Sequence, residues 1–151
     1  MVRNSTKILA TIATMLFWLL CYSCSAQTAD TTLNKFIWHW VGKPYRLGGQ
    51  TERGIDCSNF NARLYKEIFQ TNIPNVCYKQ WNVTERVKKD SLRVGDLLFF
   101  TSRESPSGWH CGTYIGNNLF VHAANRAEGV KISTLEEPKY KRRYKGAGRK
   151  R

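Results

Sequence analysis

No stretch of this sequence stays apolar long enough to cross a bilayer comfortably. The longest candidate, Ile8 to Leu20, runs about 13 residues, whereas a spanning helix needs about 20. A retained membrane anchor is therefore disfavoured. There is no internal repeat, linker or second block of different composition, so 151 residues make one domain plus a short extension. Histidine is scarce: three residues must supply any imidazole chemistry near neutral pH. Acid is missing from the end of the chain, where Lys139, Lys141, Arg142, Arg143, Lys145, Arg149, Lys150 and Arg151 carry positive charge with no carboxylate among them.

What is present is ordinary for a globular core. Five tryptophans and seven tyrosines argue against disorder. Behind the basic Arg3 and Lys7, the short apolar run fits a secretory signal over residues 1–26, leaving residues 27–151 as the domain. Two processing sites compete. Cys24, preceded by Ser23, would be the lipid-modified first residue of a lipoprotein, although Cys21 stands where such signals usually carry an aliphatic residue. The alternative is cleavage after Ala26, with small residues at Ala26 and Cys24. Lipidation is favoured, and either route exports the chain.

Export leaves Cys57, Cys77 and Cys111, an odd number, so at least one thiol stays free and needs an explanation. Losing Arg3 and Lys7 lowers the formal charge from +13 to +11. The basic end reads as a solvated face, or as attraction to an anionic surface such as phospholipid or a cell-wall polymer. Nucleic acid ranks third, because the chain is exported and carries no nucleic-acid motif.

Leu33, Phe36, Ile37, Trp40 and Val41 fall at helical spacing, and Gly42 and Pro44 end that helix. His39 lies off the stripe and is expected to be exposed and idle. Tyr45 to Gly54 reads as a loop. A second helix starts at or just after Asp56, with Phe60, Leu64 and Ile68 on its buried arc. Residues 75–91 give no clear pattern. Leu97 to Thr101 reads as a strand, Cys111–Ile115 and Leu119–Ala123 as a hairpin, Val130–Ile132 as a further strand and Tyr140–Ala147 as a last one. Helices first and strands after give an α+β fold with a mainly antiparallel sheet.

Cys57 is the candidate nucleophile. It opens a helix, where unpaired N–H groups favour a thiolate, and Asp56 before it is a plausible N-cap. His110 and His122 flank the hairpin. A strict two-residue turn at Asn117-Asn118 sets His122 opposite Thr113 and puts the two histidines on opposite faces. A three-residue connection, or a bulge nearby, puts them on one face. Then His110 would serve as base and acid for Cys57, and His122 would hold the far nitrogen of His110. The helix-end N–H groups and the Tyr45 hydroxyl could meet an oxyanion. The competing reading, that each is structural, is about as strong on spacing alone. A zinc site from Cys57, His110, Cys111 and His122 is possible in composition, but neighbours on a strand point to opposite faces.

Tyr45-Arg46-Leu47-Gly48-Gly49, Gly54-Ile55-Asp56-Cys57-Ser58, Gly95-Asp96-Leu97 and the run from His110 to Ala123 resemble the NlpC family of bacterial cell-wall peptidases. Within it they look most like small lipoprotein murein endopeptidases of the Spr/MepS type. Glu137-Pro138 and Lys141-Arg142-Arg143-Tyr144 continue the match, which covers roughly residues 33–149. The resemblance implies a papain-like fold with helices packed on the sheet, and a Cys-His-His triad at Cys57, His110 and His122. It also implies hydrolysis of amide bonds in peptidoglycan stem peptides or cross-links, without metal or other cofactor. It makes Tyr45 an active-site hydroxyl and Asp56 and Ser58 substrate contacts, and it turns the basic end into a closing strand.

The expected partner is peptidoglycan, with outer-membrane lipid if Cys24 is acylated, no nucleic acid, and a monomeric state in the periplasm or at the outer membrane. The D-Ala–diaminopimelate cross-link is the favoured bond. The γ-D-glutamyl–diaminopimelate bond is the alternative, and a non-catalytic wall-binding protein is the competitor from another class. Asn59 replaces a usual glycine, Asn61 stands where an apolar residue is common, and Cys111 and Thr113 replace aliphatic residues. Cys77 and Cys111 could pair, though core or surface thiols are expected.

Overall fold

Phe36, Ile37 and Trp40 need a partner surface, and they find it on the second helix. In the computed structural model, which describes residues 31–150, helix α1 covers 31–40. The rings of Phe36 and Trp40 each lie 5.9 Å from that of Phe60. Phe60 belongs to α2 (Cys57–Ile68), whose Phe60 and Leu64 are fully buried, as the four-residue spacing demands. The segment expected as a signal, residues 1–26 with Cys24, lies outside the described residues. From Phe36 onward the chain forms one compact unit, and among the described residues no helix is long and apolar enough to cross a membrane.

The loop before α2 holds a two-stranded hairpin, β1 (Gln50–Thr51) with β2 (Gly54–Ile55). It had been expected as loop throughout, and strands of two residues are too short to show a period. Gly49 is required there. A Cβ at that position would lie 2.3 Å from the Gly54 carbonyl oxygen, so only glycine lets the two arms meet.

Residues 75–91 hold α3 (Cys77–Asn82), β3 (Glu85–Val87) and a 3₁₀ turn at Lys89–Ser91. The six residues of α3 bury only Cys77 and Gln80. One of them is polar, which hides the helix from an apolar pattern.

The main sheet has six strands in the order β3-β8-β4-β5-β6-β7, every neighbouring pair antiparallel. Its members are β4 (Leu97–Thr101), β5 (Trp109–Gly116), β6 (Leu119–Ala123), β7 (Val130–Thr134) and β8 (Tyr144–Arg149). Central β4 buries Leu97, Leu98, Phe99 and Phe100, so both faces are covered and its sequence is a continuous apolar run. Helices α2 and α3 pack on β5, and α4 (Pro138–Arg143) packs on β4. Leu98, Phe100, Phe120, Leu135 and Tyr140 form one buried cluster.

The last strand was expected over Tyr140–Ala147 and begins later. Pro138 sits at the start of α4, where its fixed φ and missing N–H suit a helix. Tyr140 is therefore a helical residue packed on Phe100 and Phe120. Within residues 139–149 the basic end is folded and largely engaged. Lys139 pairs with Glu128, Lys141 with Glu136 and Arg143 with Glu104. Lys145 stands over the Trp109 ring at 4.4 Å. Arg149 donates from Nε and from one Nη to Asp96, at 2.7 and 2.8 Å, and Asp96 is 1% exposed. The exposed pairs contribute little each, whereas the forked Arg149–Asp96 contact fastens the closing strand beside β4.

Candidate active site

The α2 N-terminus is built by Asp56. Its carboxylate accepts from Asn59 N–H (2.8 Å), Ser58 Oγ (3.0 Å) and Gly48 N–H (2.9 Å). Asp56 is thus the expected N-cap, and the same bonds tie the glycine loop to the helix. Truncation of a capping side chain costs about 1–2 kcal/mol. Asp56→Ala should lower unfolding free energy by about that amount in a denaturant titration, with reduced Cys57 reactivity as the loop loosens.

Cys57, the first residue of α2, is 6% exposed and lies where two clefts adjoin. One, of about 400 Å³, is lined by His110, Glu104, Asn125 and Arg126. The other, of about 350 Å³, is lined by Asp56, Ser58, Asn59, Cys77 and Trp109. Tyr45, Leu47 and Ser105 border both. Asp56, Ser58 and Tyr45 thus line the clefts that Cys57 borders. Burial, then the nearby negative charge of Cys57, pushes the Tyr45 hydroxyl up to about 12, so it keeps its proton near neutral pH. His39 lines neither cleft. Its ring is exposed but not idle, since Nε2 bonds Glu52 at 2.8 Å.

The hairpin satisfies the condition that placed both histidines on one face. Asn117 and Asn118, both at positive φ, make the tight turn, and the register shifts between Tyr114 and Gly116, leaving Ile115 as the bulged residue. Thr113 then pairs with Val121, which sets His122 across from Gly112. A Cβ at Gly112 would come within 3.0 Å of the His122 Cβ, so the bare glycine leaves room for the rings. His110 Nε2 and His122 Nδ1 are 2.7 Å apart.

His122 is fully buried. Burial, reinforced by the charge of His110, holds it well below the ordinary histidine value. Its Nε2 faces Ser133 Oγ (3.1 Å) and the Tyr140 hydroxyl (3.2 Å). With its proton on Nε2, a neutral His122 would donate to this pair and accept at Nδ1 from His110 Nε2–H. His110 Nδ1 is then the nitrogen left for Cys57. Ser133 and Tyr140 are positioning residues that the sequence did not disclose, since nothing in a strand serine or an aromatic marks it as a histidine partner.

A buried neutral histidine gives a pH signature. Its folded pKa is below the unfolded value of about 6.5, so the unfolded state takes up protons first as pH falls. The stability should be full above pH 6.5 and decline below it, by at most about 1.4 kcal/mol per pH unit from this residue. Thermal melts across that range should show the decline, and His122→Gln should flatten it.

The departures at Asn61, Cys111 and Thr113 belong together. Thr113 Oγ1 donates to Asn61 Oδ1 (3.0 Å), and Asn61 Nδ2 donates to Gln80 Oε1 (3.2 Å). Gln80 Nε2 donates to the Ser58 and Pro74 carbonyls, at 2.8 and 2.7 Å, and Cys111 Sγ lies 3.4 Å from Gln80 Oε1. Each polar group satisfies another, which is the condition for burying them at all. The network joins α2, α3 and β5 beneath the thiol.

Three thiols meet at that point. Cys77 Sγ is 3.5 Å from Cys57 Sγ and 2.6 Å from Cys111 Sγ. Hydrogen bonds from Cys111 and Cys77, then the charge and hydrogen bond of His110, hold the Cys57 thiol well below the ordinary value despite burial. Cys111 is pushed well above it, by burial and by those same bonds. Among the described residues, Cys57, Cys77 and Cys111 form the group that could ligate a metal, their sulfurs within 4.8 Å of one another. The zinc set weighed from the sequence does not gather: Cys111 faces Gln80 and Cys77, whereas His110 faces Phe100 and His122. Cys77 and Cys111 are free, buried core thiols, and both lie in one contacting row with Cys57.

Residues 42–149 match the model of the NlpC/P60 family. A protein named murein DD-endopeptidase MepS/murein LD-carboxypeptidase from Escherichia coli K12 is 46% identical over 110 residues, covering 73% of this chain and 57% of that protein. The probable endopeptidase NlpC of the same strain is 36% identical over 117 residues, covering 78% of this chain and 75% of its own. This chain thus spans little more than half the length of the first of these relatives. A crystal structure of an NlpC/P60 family protein from Bacillus cereus superposes with a TM-score of 0.70 at 30% identity, over 80% of this chain and 39% of that one. With the family model matched over most of its length and the fold shared, the chain belongs to the NlpC/P60 family.

Proposed function

We propose that the chain is a cysteine endopeptidase of peptidoglycan, acting in the bacterial envelope, with Cys57 as nucleophile, His110 as general base and acid, and His122 as the residue that aims His110. The observation that carries this reading is the Cys57–His110–His122 arrangement at the junction of the clefts. A helix-end thiol held low in pKa neighbours His110, and His110 is fixed at 2.7 Å by a buried, neutral histidine. The relative named as a murein DD-endopeptidase supplies the substrate class.

His110 Nδ1 takes the proton of Cys57, and the thiolate attacks the carbonyl carbon of the scissile amide. The developing oxyanion meets the Cys57 N–H, the first of α2, and the Tyr45 hydroxyl. His110 returns the proton to the leaving amine, and an acyl group stays on Cys57. Water, deprotonated by His110, then releases it. When His110 becomes cationic its Nε2–H donates to His122, and the relay through Ser133 and Tyr140 holds the accepting tautomer. Two adjoining clefts that share Cys57 in their lining suit an extended peptide substrate.

The D-Ala–diaminopimelate cross-link is the favoured bond, and acylation at Cys24 would hold the enzyme at the outer membrane. Digesting purified sacculi and identifying the fragments by mass spectrometry tests the reading. Loss of cross-linked dimers with intact stem monomers is the expected result. Stems cut after γ-D-glutamate would move the assignment to that bond, and intact sacculi would refute the proposal.

A further inference from the structure

Hydrolysis needs one thiol, and three are in contact here. Cys77 is the common partner, 3.5 Å from Cys57 and 2.6 Å from Cys111. A tetrahedral thiolate site with metal–sulfur bonds of about 2.3 Å keeps its sulfurs roughly 3.8 Å apart. The Cys77–Cys111 pair is too close for that, and it approaches the roughly 2.05 Å of a sulfur–sulfur bond. Access differs along the row. Cys57 and Cys77 line a cleft open to small solutes, whereas Cys111 is fully buried behind them. A low-pKa thiolate reached from solvent and next to a second thiol is the arrangement of oxidant-reactive cysteines.

We propose that Cys57, Cys77 and Cys111 form a site of reversible oxidation by peroxides, in which Cys77 captures an oxidised Cys57 and Cys111 then sets Cys57 free. The inference rests on the reading of Cys57 as the nucleophile and concerns how that thiol survives in an oxidising envelope. In the first step the Cys57 thiolate attacks a peroxide oxygen. The O–O bond breaks, Cys57 becomes a sulfenic acid, and hydroxide (or an alkoxide) departs. In the second, Cys77 sulfur attacks the sulfenic sulfur. An S–S bond forms, the S–O bond breaks, and the leaving hydroxide departs as water with the Cys77 proton.

In the third step Cys111 attacks Cys77 sulfur, its proton passing by way of the Cys57 sulfur to the solvent of the cleft. The Cys77–Cys111 bond forms, the Cys57–Cys77 bond breaks, and Cys57 leaves as thiolate. This last exchange moves no net electrons. Its direction follows from the leaving group, because the thiol held lowest departs best, and Cys57 is the one stabilised as an anion while Cys111 is pushed up. Peroxide thus ends as a buried Cys77–Cys111 disulfide, and the nucleophile is returned.

Fully reduced protein, treated with stoichiometric hydrogen peroxide, alkylated and mapped by peptide mass spectrometry, tests this directly. Wild type should show a Cys77–Cys111 disulfide with Cys57 alkylated, and should keep most of its murein-cutting activity. Cys111→Ala should stop at a Cys57–Cys77 disulfide, with activity lost relative to its own untreated sample and restored by dithiothreitol. Cys77→Ala should accumulate Cys57 sulfinic acid, a loss that dithiothreitol does not reverse. In Cys57→Ala the Cys77–Cys111 bond should form at least about tenfold more slowly, since neither remaining thiol has the same thiolate character.

Wild-type protein in which Cys57 reaches sulfinic acid while Cys77 and Cys111 stay alkylatable would overturn the proposal without any variant. So would equal disulfide formation with and without Cys57. The disulfide map reads the thiols whether or not murein is cut, so failure of this inference is distinct from failure of the peptidase reading.

Discussion

Cys57→Ala should reduce murein cleavage by a factor on the order of 10⁴ or more while leaving the melting temperature nearly unchanged. Removing the nucleophile of a coupled triad costs about as much as removing the whole triad, because the remaining members have no covalent step to assist. The side chain lost is small, and the helix end that holds it is secured by the Asp56 bonds to Asn59, Ser58 and Gly48. A purified variant that melts like wild type and still releases muropeptides at the wild-type rate would remove Cys57 from the chemistry.

His110→Ala is the second large effect, a loss of about 10²–10⁴ in kcat, the range that general acid–base catalysis supplies. The variant has a second signature. His110 contributes to the low pKa of Cys57 by charge and by hydrogen bonding, after the bonds from Cys111 and Cys77. Its removal should move the pH dependence of Cys57 alkylation upward, towards but not fully to an ordinary thiol, because the neighbouring thiols remain. An unchanged alkylation profile would mean that His110 does not touch the nucleophile electrostatically. Steady-state kinetics and thiol mapping on one preparation supply both readings.

The parts of this molecule that sequence disclosed are those whose physics is local. Leu97–Phe100 is an unbroken apolar run because both faces of β4 are covered, and Asp56 before Cys57 declares a helix start because a carboxylate caps N–H groups three residues on. The single face shared by His110 and His122 was a conditional reading. It needed a bulge, and periodicity alone does not say which residue will bulge; the shift at Ile115 supplies it.

Long-range features were not legible. Cys77 comes to Cys57 and Cys111 only because α3, a six-residue helix with buried Gln80, packs against α2 and β5. Ser133 and Tyr140 reach His122 only after β7 pairs with β6 and α4 folds over β4. The unusual Asn61, Thr113 and Cys111 looked like separate departures from the family pattern, and become one network only when three elements are brought together.

The rate of iodoacetamide alkylation of Cys57 against pH, read by peptide mapping of the reduced wild-type protein, tests the central claim most directly. A free cysteine ionises near 8.5. Cys57 should already be at or near its maximal rate at mildly acidic pH, while Cys77 and Cys111 react slowly throughout. A Cys57 rate that climbs only through the ordinary thiol range, in step with the other two, would contradict that claim.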